Sequence, residues 1–213
     1  MYNTLKIALA GAALAFTGST AMAATLTLES ATAHTYQHSG NSPCIISGQN
    51  CPQQPSGFDY TEYHNTGGMG GTTQASPDYM VSTLLGMFVN GFSVGVDIND
   101  TGTPQTLDYF AMLVDGMVVD SYTGSADNVP ALANGNGYAD YLLRGFTSLA
   151  NYGADSLVSF QMRMSGMNDG PESFFLVANG EPPPPAPIPL PATGLLLLAG
   201  VGGLAAARRR KAA

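Results

Sequence analysis

Leu107-Asp108-Tyr109-Phe110-Ala111-Met112-Leu113-Val114, then Asp115-Gly116, then Met117-Val118-Val119-Asp120-Ser121-Tyr122: this stretch decides the fold. Two runs of aliphatic, aromatic and β-branched residues flank a dipeptide whose positions both tolerate positive φ. Asp-Gly between such runs is a strong signal for a hairpin closed by a type I′ turn. Working outward, Phe92 to Ile98 alternates apolar residues with small or polar ones and predicts a half-buried strand. Val158 to Met164 alternates cleanly. Ser173 to Ala178 predicts a shorter strand, and Thr25 to Glu29 one that opens the folded part. Tyr79 to Val89 fits either strand or helix. Short strands separated by Gly, Asn and Asp clusters predict a mainly β single domain over residues 24–180, an antiparallel β-sandwich or jelly roll. No fixed-period repeat is evident, which argues against a solenoid.

Charge narrows the function classes. The 213 residues hold 7 Lys+Arg and 15 Asp+Glu, with a formal net charge of −8. Between Ala24 and Pro187 the only cations are Arg144 and Arg163, whereas all 15 acids lie there. Such a segment repels phosphate backbones, so nucleic acid is not an expected partner. It has no lysine, and so no amine for a Schiff base, a P-loop or an isopeptide bond.

Residues 40–77 read as loop-rich, with much Gly, Gln, Ser, Thr and Asn. Cys44 and Cys51 lie in this segment, and six intervening residues do not make a Cys-x-x-Cys redox pair. A structural disulfide is expected. Gly67-Gly68-Met69-Gly70-Gly71 predicts a mobile loop.

No catalytic constellation emerges. His34 and His38 are spaced for metal ligation only on a helix, and Thr35-Tyr36-Gln37 does not read as one. With His64 they are expected to be exposed loop residues. Asp97, Asn99 and Asp100 bring oxygen donors to a strand end and are weak candidates for calcium, although no bidentate Glu follows at calcium-loop spacing. Asp127-Asn128 and Asn168-Asp169-Gly170 are comparable loops, and turn chemistry explains them equally. Asn99-Asp100-Thr101 is also an N-glycosylation sequon. Tyr36, Tyr60, Tyr63, Tyr138, Tyr141 and Tyr152 would suit sugar stacking if several shared one face, although Trp, the best platform, is absent.

The two ends read as addresses. Lys6, the apolar run Ile7 to Phe16, and Ala21-Met22-Ala23 make a secretory signal over 1–23, cleaved between Ala23 and Ala24. At the other end, 181–187 is a Pro-rich stalk. Residues 192–207 are apolar, and a basic tail follows at Arg208, Arg209, Arg210 and Lys211. A transmembrane helix with its tail in the cytoplasm is expected from length, apolarity and charge.

Ile188-Pro189-Leu190-Pro191-Ala192, the Leu195 to Ala205 run and the basic tail together resemble a PEP-CTERM-type sorting signal, closest to the VPLPA-CTERM subtype. Ile188 stands where that subtype has Val. The resemblance covers 188–213 and nothing of the folded part. It implies export through the Sec translocon, cleavage by signal peptidase, and recognition of the tail by an exosortase in the inner membrane. It also implies a final place at the cell surface or in the extracellular matrix, often with polysaccharide. Leu190-Pro191-Ala192-Thr193-Gly194 overlaps it and also fits the Leu-Pro-x-Thr-Gly pattern of sortase substrates. The function expected is that of an exported structural or interaction protein, membrane-anchored or exosortase-processed, without catalysis or a required cofactor. A lectin-like module for matrix polysaccharide is the alternative. A secreted hydrolase rests on fold analogy alone.

Overall fold

A computed structural model describes residues 23–48, 51, 53–63, 73–99, 105–124, 128–132, 135, 137–167 and 172–180. The signal segment before Ala23, the glycine run 67–71 and everything from residue 181 onward lie outside the described residues. In chain order the strands are β1 (Ala24–Thr25), β2 (Thr27–Ser30), β3 (Cys44–Ser47), β4 (Thr61–Glu62), β5 (Gln74–Ala75), β6 (Tyr79–Met80), β7 (Phe92–Asp97), β8 (Gln105–Val114), β9 (Met117–Tyr122), β10 (Asn128–Val129), β11 (Tyr141–Arg144), β12 (Leu157–Ser165) and β13 (Ser173–Ala178). Among the described residues one α-helix, α1 (Val81–Met87), follows β6, and a 3₁₀ turn spans Leu149–Asn151.

The Asp115-Gly116 hairpin forms as its sequence predicts. β8 and β9 pair antiparallel, and the turn residues have φ of 50° and 77°. β8 is the spine of a seven-stranded sheet ordered β1-β9-β8-β12-β5, with β10 beside β8 and β6 beside β12. β12 pairs along most of β8, and its inward side chains Val158, Phe160, Met162 and Met164 are buried in strict alternation. The second sheet has six strands, β2-β11-β7-β13-β3-β4.

Side chains of the two sheets meet. Phe110 of β8 stacks on Phe174 of β13 with ring centroids 5.8 Å apart. Phe92 of β7 meets Phe160 of β12 edge-on, also at 5.8 Å. One main core contains residues of both sheets. The described residues therefore make one β-rich domain, as expected. The sheets are mixed, however, and not antiparallel throughout: β1 runs parallel to β9, and β3 parallel to β4. The cause is connectivity. β3 and β4 are joined by a long segment, the kind of connection a parallel pair requires. The predicted strand Thr25 to Glu29 is in fact two. It breaks at buried Leu26, so β1 joins one sheet and β2 the other.

β7 departs from the half-buried expectation, because all six of its residues are buried. Along β13, Phe174 and Leu176 face the main core while Phe175 and Val177 belong to a second cluster. Side chains alternate across a strand, so this cluster lies on the outer face of the six-stranded sheet. It contains Cys44, Cys51, Ala139 and Leu142, with Ala31, Tyr36 and Tyr60 packed against it. The segment read as loop-rich thus supplies β3 and covers that face. The ambiguous stretch Tyr79 to Val89 divides: Tyr79 and Met80 pair with β12, then the helix begins and buries Val81 and Leu84.

Candidate functional site

Register places two candidate sites at opposite ends of β7. Phe92 is opposite Ala178, while Asp97 is opposite Ser173.

At the Phe92 end a cleft of about 310 Å³ opens between α1, the turn after it, and residues 146–150. Its apolar wall includes Phe88, Phe92 and Phe146, and its polar rim includes Asn90, Thr147 and Asn179. Asn179 is anchored: its Oδ1 accepts from the Ser93 hydroxyl at 2.7 Å, and its backbone N–H donates to Gly91 O at 2.9 Å. Thr147 is held by Asp120, a fully buried acid on β9. That carboxylate accepts from the Thr147 N–H at 2.9 Å and from its hydroxyl at 2.6 Å. An aromatic wall with a few fixed polar groups is suited to a small, partly apolar ligand.

At the Asp97 end lies a set of buried acids. Asp97 and Asp140 are each 2% exposed and Glu172 is 0% exposed. Asp97 accepts from the Gly137 N–H at 2.9 Å. Asp140 accepts from Ile98 N–H and Leu132 N–H, both at 2.8 Å. Glu172 accepts from the Asn99 N–H and from the side-chain amide of Gln105. The Gln105 contact ties β8 of one sheet to the residue preceding β13 of the other. Burial pushes Asp97 up to about 7; the nearby Asp140 charge adds to this, while the Gly137 N–H and the Asn99 side chain oppose it.

The residues singled out in the sequence have divergent fates. Asp97 and Asn99 sit together, whereas Asp100 lies outside the described residues, as do Asp127 and 168–170. Cys44 and Cys51 are disulfide-bonded as expected. A ring nitrogen of His38 lies within 4.8 Å of both sulfurs, but the disulfide commits those sulfurs to each other. His38 is not an exposed loop residue. It packs edge-on against Phe175, and burial lowers its pKa. His34 is exposed, in contact with the Tyr138 ring, and His64 lies outside the described residues.

The tyrosines do not share one open face. Tyr63 and Tyr141 are buried, and their hydroxyls donate to Glu172 O and Pro130 O. Burial raises both pKa values. Tyr36 and Tyr60 pack on the outer cluster, and Tyr152 on the main core. The cleft aromatics are phenylalanines, which ordinary core patterning hides. Glu172 and Gln105 gave no sequence signal either, because only the packing of one sheet against the other brings them together. Among the described residues no helix is long and apolar enough to cross a membrane, and the expected span at 192–207 lies outside them. No protein-family model matches this chain, nor does any curated protein or solved structure.

Proposed function

We propose that this chain is an exported cell-surface or extracellular-matrix protein with a structural or interaction role and no catalysis, carried on a membrane anchor that an exosortase-type enzyme processes. The observation that carries the reading is the tail: a stalk at 181–187, the motif Ile188 to Ala192, an apolar run and the Arg208–Lys211 cluster, in that order. Three features support it. β13 ends at Ala178, just before the stalk, so the domain would hang directly from it. Cleavage after Ala23 would leave β1, which begins at Ala24, whole. A disulfide suits an oxidising compartment. In the finer fold reading the two facing sheets are a β-sandwich of jelly-roll type.

The test is the intact mass of the mature protein from its native cells and medium. The expected chain begins at Ala24, ends near Pro191-Ala192, and is two hydrogens light for the disulfide. A chain ending at Thr193 with a peptidoglycan fragment would transfer the anchor to a sortase. A chain retaining Arg208–Lys211 would make it a simple membrane protein.

The cleft favours one second reading, a lectin-like module for matrix polysaccharide. Aromatic faces beside fixed Asn and Thr groups are a chemistry that sugars use. A glycan array run with the intact protein and with Phe146→Ala tests it. Equal signals from both would remove the cleft from consideration.

A further inference from the structure

We propose that the chain's own proline-rich segment, residues 182–187, folds back and occupies the cleft between α1 and residues 146–150. It needs neither the processing of the tail nor the binding of sugar, and rests on the cleft and on the sequence of that segment. The chain leaves the domain at the cleft. Asn179 stands on the cleft rim, pinned there by the Ser93 hydroxyl and by Gly91 O. The backbone bends at residues 179–180, and Gly180 has a φ of 136°, in the region that favours glycine. The proline run begins two residues further on, at Pro182, just outside the described residues.

The chemistry of the cleft fits that segment. Aromatic-lined grooves recognise polyproline II helices, because proline rings pack on aromatic faces and the conformation is formed before binding. The walls here include Phe88, Phe92 and Phe146. Val89 stands on the lip and is 81% exposed, the highest value for a large apolar residue among the described residues. An occupant that covered it would remove that surface from water. Polyproline II has no internal hydrogen bonds, so its carbonyls need donors. Asn90, Ser148 and Asn179 carry N–H and O–H groups at the rim. Three residues per turn would align Pro182 with Pro185 on one edge and Pro184 with Pro187 on the next, leaving Pro183 and Ala186 on the third. The two all-proline edges would face the walls, and the edge with the small residue would face solvent. At about 3.1 Å per residue the segment reaches about 19 Å, ample for a cleft of about 310 Å³. It carries no charge, so the acidic domain does not repel it. The short link Gly180-Glu181 gives a high effective concentration, so a contact too weak to hold a free peptide is made within the chain.

The consequence is mechanical. Docked residues would shorten the stalk, so that the tether would begin near Ile188 and hold the domain in one orientation. They would also close the cleft to any soluble ligand that has to compete with them.

The intact chain, purified in detergent, should be compared by amide hydrogen exchange with the triple variant Pro182→Ser, Pro184→Ser, Pro185→Ser. Amides of residues 87–91 and 146–150 should exchange several-fold faster in the variant, while those of β8 and β12 are unchanged. Val89→Ser, at an exposed position where folding is not at stake, should produce the same selective change. Nuclear Overhauser contacts between the Phe146 ring and proline Hδ protons are expected in the wild type and should vanish in the triple variant. Wild-type exchange in both variants would overturn the proposal, and so would the absence of those contacts in the wild type. A glycan that bound the wild type and the triple variant with equal affinity, and lost that affinity in Val89→Ser, would give the cleft to sugar instead.

Discussion

Gly95 shows how one residue couples the two faces of the central strand. A Cβ built on it would lie 2.7 Å from the Phe175 ring, and that ring is fully buried under the disulfide loop. The ring cannot swing into solvent, so Gly95→Ala should cost about 1–3 kcal/mol through overpacking. Urea denaturation of the two proteins, with m unchanged, measures it. His38 lies against the same ring. Burial depresses its folded-state pKa below the unfolded value of 6.5. The unfolded chain therefore binds the proton more readily. Any stability linked to His38 is complete above pH 6.5 and is lost as pH falls through the lower folded value. The stability difference between wild type and His38→Gln should then shift against wild type as pH falls below 6.5, and denaturation at pH 7.5 and at pH 5.5 tests this. The sequence alone placed His38 in an exposed loop because nothing local announces Phe175. The ring arrives from a strand more than 130 residues away, and the alternation of β13 shows an apolar outer face without saying what covers it.

At the scale of elements, legibility followed locality. The β8–β9 hairpin was readable because its turn chemistry lies within two residues, and both adopt the positive φ that Asp-Gly permits. β12 was readable because one of its faces looks outward. β11 was not foreseen: Tyr141 to Arg144 is a four-residue strand held between β2 and β7, and its pattern is too short to separate from a loop. The two-residue strands β4, β5 and β10 exist only by pairing with longer neighbours. The same locality limits reading of the sites. Asp97 and Asn99 were visible as oxygen donors on one strand end, but Glu172 reaches the Asn99 N–H only through the pairing of β13 with β7, and Gln105 reaches Glu172 only because the two sheets pack together. The cleft depends on a contact of this kind. Asp120 on β9 fixes the backbone and side chain of Thr147 on the cleft rim. Asp120→Ala would remove the acceptor of two part-buried Thr147 donors and should cost about 1–2 kcal/mol. It should also increase amide exchange selectively over residues 145–150, while protection in β12 persists. Uniform loss of protection across the domain would mean that Asp120 serves the global fold and not this loop.

Across the whole molecule, the ends and the domain are legible in different currencies. The ends are composition: apolar runs, prolines and clustered charge. The domain is topology, and its buried acids meet their hydrogen-bond partners only once the strands are paired and packed. The disulfide is where the two descriptions meet, since it suits the proposed export and takes its effect from the fold. Cys44 and Cys51 are seven positions apart, and both belong to the cluster covering the outer face of the six-stranded sheet. Closing so short a loop removes unfolded-chain entropy of roughly 2–3 kcal/mol. Replacing both cysteines by serine should therefore lower stability by about that amount, plus the lost burial of two sulfurs. The loss should be felt first on the outer face. Phe175 would lose part of its cover and β3 should loosen from β13, while the main core, built from β8, β12 and the inner face of β7, stays closed. Exchange of the β3 amides ahead of those of β8, at a denaturant concentration below the global midpoint, is the expected pattern. Simultaneous exchange of both strands would show that the outer cluster and the main core unfold as one unit.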